Sequence, residues 1–181
     1  MSKRYIKEDP DMWYAIINLE ERAANFKIIK TMLSEAVKEC PKSGELWSMM
    51  IENQPKSSRI RATLNASEIC PNDPYLMNVT ARIFWGELKK EKATVWFERS
   101  LLANPGIGDT WVYYYLLQHE LKDEIVKAEI LKRCVQSEPT EGRLWKECAQ
   151  RPVNWSLTTE QILMKVIDDA KAHMYTIKGR V

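Results

Sequence analysis

The sequence predicts an all-α protein, a right-handed α-α superhelix of about five antiparallel helix pairs. Three observations carry that expectation. The first is a recurrent punctuation: Pro41 to Trp47, Pro71 to Met77, Pro105 to Trp111 and Pro139 to Trp145 each span six residues, and the prolines follow one another at 30, 34 and 34 residues. A period in this range is the mark of stacked helix pairs. The second is a ridge ahead of each proline. Five residues before it stand the small side chains Ala36, Ala66, Ser100 and Cys134, and eight before it Leu33, Thr63, Phe97 and Leu131, mostly bulky. The third is an apolar stripe three and four residues after the aromatic column, such as Ile16 and Ile17 or Met50 and Ile51. That spacing lies on one helical face.

Trp13 stands 34 residues before Trp47, so the column reads Trp13, Trp47, Met77, Trp111 and Trp145. The first helix of each pair carries the column and the second carries the ridge. Small residues let helix backbones approach, and the large indoles fill the space between layers. The expected helices cover residues 10–23, 26–39, 43–53, 57–69, 74–87, 90–103, 109–120, 123–136, 141–150 and 158–174. Asp9-Pro10 and Asp73-Pro74 place a capping carboxylate before a first-turn proline. Gly106-Ile107-Gly108-Asp109 is read as breaking one helix and capping the next, and Thr158 with Gln161 has capping-box spacing. The expectation is one array over residues 9–174, with units starting near 10, 43, 74, 109 and 141 and soft ends at 1–8 and 175–181.

Composition narrows the function. Charged residues form 29% of the chain and apolar ones 45%, suited to a folded protein rather than a disordered one. The 27 basic residues against 25 acidic argue against a dedicated nucleic-acid binder, which carries a basic excess or stripe. No stretch approaches the roughly 20 apolar residues of a membrane helix, and the start shows no secretory signal. Cys40, Cys70, Cys134 and Cys148 lack C-x-x-C spacing, so they read as reduced packing residues without a zinc site.

No constellation for chemistry emerges. Gly106-x-Gly108 lacks the third glycine of a nucleotide loop, and His119 and Glu120 point apart on a helix. Neither a catalytic residue, a cofactor nor a small-molecule substrate is expected. The clusters Lys89-Lys90-Glu91-Lys92, Arg59 with Arg61, and the basic tail of Lys171, Lys178 and Arg180 read first as solvated surface and second as phosphate contacts. The candidate binding face lies one, five and eight residues after the column: Asn78, Arg82 and Trp85 from one unit, Val112, Leu116 and His119 from the next. An apolar patch with an arginine and a tryptophan has the make-up of a protein-binding hot spot. Sideways packing between repeats, as expected for Trp96, is the other reading of Trp85.

The proline, small, bulky and tryptophan columns resemble the half-a-TPR (HAT) repeat. Residues 39–47 (ECPKSGELW), 82–100 (RIFWGELKKEKATVWFERS), 131–145 (LKRCVQSEPTEGRLW) and 153–155 (VNW) further resemble the C-terminal repeats of the pre-mRNA-processing factor 6 family. That resemblance covers residues 12–160 and includes the short 30-residue unit and Met77 in the tryptophan column. It implies a nuclear, non-catalytic scaffold of the spliceosomal tri-snRNP whose partners are other proteins of that particle, with RNA contact secondary. The alternatives are a HAT scaffold of mRNA 3′-end or rRNA processing, or a direct RNA-binding helical module. Residues 156–181 follow no pattern of that family.

Overall fold

The computed structural model describes the backbone of residues 8–178 and the side chains of residues 8–171; of the soft ends expected at 1–8 and 175–181, residues 1–7 and 179–181 lie outside the described residues, and 175–178 continue the last helix. The described chain is all-α. Its helices are α1 (Pro10–Arg22), α2 (Phe26–Glu39), α3 (Gly44–Glu52), α4 (Lys56–Ile69), α5 (Pro74–Gly86), α6 (Lys90–Ala103), α7 (Gly108–Leu121), α8 (Glu124–Ser137), α9 (Arg143–Ala149) and α10 (Thr159–Lys178). A 3-10 turn, Pro152–Asn154, precedes α10. Among the described residues the only β-like pairing is one isolated bridge between Ile107 and Glu141. No helix of the described chain is long and apolar enough to cross a membrane. Contacts divide the chain into two compact units, one up to Ile83 and one from Phe84, so the division falls inside α5.

In the first unit α2 packs against both α1 and α3. Its ridge residues Leu33, Ala36 and Val37 share one cluster with Ile17, Ile29, Leu46 and Met49, and Trp13, Tyr14 and Trp47 close its rim. A second cluster joins Ala62, Ala66 and Cys70 to Ile51, Leu76 and Val79. Every member of the small column is buried: Ala36, Ala66, Ser100 and Cys134. In the bulky column Leu33, Thr63 and Phe97 are buried, whereas Leu131 is half-buried and its neighbour Ile130 takes the interior position.

The proline-to-tryptophan spacing has a direct cause. The indole N–H of Trp47 donates to the carbonyl of Pro41 at 2.8 Å, and that of Trp111 to the carbonyl of Pro105 at 2.8 Å. A tryptophan inside a packed layer needs an acceptor for its N–H, and the turn six residues earlier supplies it. Trp111, Trp145 and Met77 are buried; Trp13 and Trp47 are half-buried.

Helix starts follow the sequence signals with one exception. Asp9 accepts from the N–H of Asp11, and Asp73 from those of Tyr75 and Leu76. Thr158 and Gln161 close a reciprocal capping box at 2.9 and 3.3 Å. Asp109 does something else: α7 starts after Ile107 without a side-chain cap, and the Asp109 carboxylate accepts from the N–H groups of Leu144 and Trp145, at the start of α9. The cap expected within one repeat is thus delivered to the following one.

In the second unit the loops before α7 and α9 are tied by backbone. The N–H of Gly108 donates to the Glu141 carbonyl, and the N–H groups of Thr140 and Glu141 donate to that of Gly106. A Cβ on Gly108 would stand 2.2 Å from the Trp145 ring, so only glycine allows this approach. The last helix, α10, packs against α7 and α8 as well as α9. The turn before it is pinned by buried Asn154, which donates to the Cys148 carbonyl at 2.7 Å and accepts from Lys165 Nζ at 2.7 Å.

Candidate protein-binding face

The positions one, five and eight residues after the column come from α5 and α7, and they divide between the two units. In the first unit Asn78 is buried. Arg82 is half-buried and paired with Glu52 of α3, one repeat earlier. Glu52 stands five residues after Trp47, as Arg82 stands five after Met77, so the same repeat position carries opposite charges in consecutive units.

In the second unit Val112 and Leu116 are buried and His119 is exposed. Trp85 is half-buried, and its indole N–H donates to Glu120 Oε2 at 2.8 Å. Lys90 of α6 reaches the other oxygen of Glu120 at 2.7 Å. Glu120 therefore joins a first helix to the end of α5 and the start of α6. Three of the six proposed contact residues, Asn78, Val112 and Leu116, are interior and offer no free surface. For Val112 and Leu116 the reason is a neighbour the periodicity did not count: α7 meets α8, α9, α6 and α10, so more than one of its stripes is covered. Arg82, Trp85 and His119 keep solvent-facing area, the first two held by carboxylates.

Of the basic clusters, several side chains of the first two are engaged within the chain, and the tail's Lys178 and Arg180 lie outside the described side chains. Lys89 pairs with Glu87, Lys90 with Glu120, and Arg59 donates to the carbonyls of Gln54 and Glu52. Lys89 and Lys92 both stand 5.9 Å from the Phe84 ring centre. Trp96, expected to pack sideways, is half-buried with the Arg99 guanidinium over its ring at 4.8 Å.

A groove of about 510 Å³ runs beside α8, lined in part by Tyr114, Ile125, Glu129, Arg133 and Glu98. Arg133 makes two bonds to Glu98, at 2.9 and 3.0 Å, and lies 5.3 Å from the Trp111 ring centre. Burial, reinforced by Glu98 beside it, pushes the Tyr114 hydroxyl well above the usual tyrosine range. Trp155, placed by the sequence only in the closing motif 153–155, is 75% exposed beside Val153 at 80%. Among the described residues no three His, Cys, Asp or Glu side chains gather as metal ligands. Burial pushes the Cys134 thiol up to about 12, so the thiol form prevails at neutral pH.

Comparison with known proteins adds what geometry alone does not. STABILIZED1 of Arabidopsis thaliana is 33% identical over 114 residues, covering 63% of this chain and 11% of that protein. Human Pre-mRNA-processing factor 6 is 32% identical over 111 residues, covering 61% and 12%. Pre-mRNA-splicing factor prp1 of Schizosaccharomyces pombe is 29% identical over 157 residues, covering 87% and 17%. The chain is a relative of pre-mRNA-processing factor 6. It spans between a tenth and a fifth of the length of these three proteins. No family model matches. A solved structure of MamA superposes with a TM-score of 0.50 at 11% identity, over 92% of this chain and 98% of that one, and it speaks to the helical-repeat fold alone.

Proposed function

We propose that this chain is a non-catalytic protein–protein scaffold in pre-mRNA splicing, acting in the nucleus as part of a factor that bridges components of the tri-snRNP. The observation that carries the reading is the similarity to splicing factors, which reaches 87% of the chain and accompanies an all-helical repeat fold. Helix-pair repeats offer extended surfaces to other macromolecules without requiring a reactive group. Protein is favoured over RNA because several of the basic side chains are already paired: Arg82 with Glu52, Lys90 with Glu120, Arg133 with Glu98 and Arg151 with Asp169. A phosphate-binding stripe depends on cations left free for the backbone.

Crosslinking and mass spectrometry of purified splicing particles that contain the chain tests this. Crosslinks from its lysines to splicing proteins are the expected result. A salt-dependent shift of single-stranded or duplex RNA by the isolated chain at sub-micromolar concentration, with crosslinks to RNA alone, would replace the scaffold with an RNA-binding module.

A further inference from the structure

The outer face of α6 is unlike that of the other second helices. Leu88, in the turn before it, Val95 and Leu102 follow one another at seven residues and are 78%, 56% and 87% exposed. Lys92 and Arg99, also seven apart, are exposed between them. Two turns of helix take about seven residues, so these side chains share one stripe about four turns long. The repeat does not require it. Counted back from the proline that follows each helix, the places of Val95 and Leu102 hold Thr31 and Lys38 in α2, Arg61 and Glu68 in α4, and Glu129 and Gln136 in α8. All six are exposed, so these places belong to the surface and are apolar in α6 alone of the four.

Nor is the stripe a face that stacking leaves open at an end of the array. Helix pairs stand before and after α6 in the chain, and its packing side is filled: Ala93, Phe97, Ser100 and Leu101 are buried, and the helix packs on α7. The cations of the stripe are held ready rather than neutralised. Lys92 Nζ lies 5.9 Å from the Phe84 ring centre, and the Arg99 guanidinium lies 4.8 Å from that of Trp96. Neither meets a carboxylate at ion-pair distance among the described residues. Glu87 and Glu98, close by in sequence, are engaged by Lys89 and Arg133 instead. Glu91 is exposed on the flank away from the two cations.

We propose that the Leu88–Val95–Leu102 stripe, with Lys92 and Arg99, docks an acidic amphipathic helix of a partner protein. Charge complementarity and spacing choose that occupant. An apolar ridge at seven-residue intervals takes a helix whose own apolar side chains recur at the same interval. Two cations on one flank, each backed by an aromatic ring, call for Glu or Asp beside those apolar positions. A nucleic-acid backbone is a poorer match, because three of the five outward side chains are apolar and two cations make no phosphate track. A second copy of the chain would bring the same cations to the interface. The inference rests on the scaffold reading and deepens it by naming one face and one kind of partner.

The probe is a capped peptide of about 18 residues, locked helical by a lactam on its outer side because so short a helix is marginal alone. It carries leucine at every seventh position with glutamates beside them, and its control has lysine for each glutamate. Each is titrated into the full chain while the methyl groups of Val95 and Leu102, assigned with Val95→Ile and Leu102→Ile, are followed by NMR. The acidic peptide should shift both saturably and leave buried Leu117 unmoved, and the lysine peptide should shift neither. In the double variant Lys92→Glu, Arg99→Glu, whose thermal melt should match the parent's, the preference should reverse, by tenfold or more for each peptide. No shift with the acidic peptide at about 1 mM overturns the proposal, and so does an unchanged preference in the double variant. In purified splicing particles Lys92 should be shielded from acylation and should crosslink to a protein segment of that acidic pattern. Shielding that ribonuclease removes assigns the stripe to RNA, and a shift that grows with protein concentration without peptide assigns it to a second copy; either overturns the proposal. Lys92 left open in the particle, while other lysines crosslink to splicing proteins, overturns the docking site and leaves the scaffold reading standing.

Discussion

The repeat junction in the first unit and the one in the second unit share a punctuation and differ in how they are closed. Between Pro41 and Pro71 the closure is made by side chains. The Cys70 thiol donates to the Pro41 carbonyl at 3.2 Å, and the Asp73 carboxylate caps its own helix while lying against Gly44, where a Cβ would come within 1.9 Å of it. Between Pro105 and Pro139 the closure is a short backbone ladder, and Asp109 caps the helix of the next pair. Their tryptophans differ accordingly. Trp47 is half-buried at the cluster's rim, whereas Trp111 is 1% exposed with Arg133 over its ring. A repeat thus fixes where a junction falls without fixing which bonds hold it. A tie between two repeats couples their folding, and a cap within one repeat does not.

The largest expected effect separates the two tryptophans. Trp111→Ala should cost about 3–5 kcal/mol of folding stability, since it empties a filled layer and strands the Pro105 carbonyl. Trp47→Ala should cost about half as much or less, in proportion to its partial burial. Chemical denaturation of both variants measures the difference, and equal losses would remove the contrast between junctions.

A smaller effect separates the two aspartates. Asp109→Ala should cost about 1.5–3 kcal/mol, because two backbone donors at the start of a neighbouring helix lose a charged acceptor. Asp73→Ala removes a cap on its own helix and should cost about 1 kcal/mol. Hydrogen exchange sharpens the comparison: in Asp109→Ala the amides of Leu144 and Trp145 should lose protection together with those of α7, while in Asp73→Ala the loss should stay at the start of α5.

The smallest effect is a pH dependence at Asp73. Burial raises its carboxyl above the usual range, against the opposing pull of the Leu76 and Tyr75 N–H groups. An acid with a raised folded pKa favours the folded state while protonated. That contribution is therefore complete below the unfolded value near 3.8, shrinks as pH rises through the folded value, and is absent at neutral pH. Asp73→Asn keeps an acceptor for the same amides and should flatten this part of the stability profile. A profile identical to that of the parent chain would mean that Asp73 carries no such penalty.

Helix number and helix pairing were legible in the sequence, and of the tryptophan column Trp111 and Trp145 are buried while Trp13 and Trp47 stay at the rim. Their periodicity is enforced locally, by backbone hydrogen bonding within each helix and, at Trp47 and Trp111, by an indole that reaches a carbonyl six residues back. The small column was legible for the same reason: a position where two helices approach admits only Ala, Ser or Cys. The contact face was legible only in part. Periodicity assigns one stripe to the core and leaves the rest to solvent, yet Asn78, Val112 and Leu116 are interior, the last two because α7 has more neighbours than a pair supplies.

Tertiary structure alone decided the long-range bonds. It gave the Asp109 cap to α9, the Trp85 indole to Glu120 and the Arg82 guanidinium to Glu52, each partner lying 30 to 36 residues away. One side chain has several acceptors within its reach along a helix, and only the packing of neighbouring repeats selects among them. The sequence by itself determined where each layer of this protein begins and what fills it, because those choices are settled within a turn or two of chain. Which layers are tied to one another, and which surfaces remain open, depended on distances that no period records.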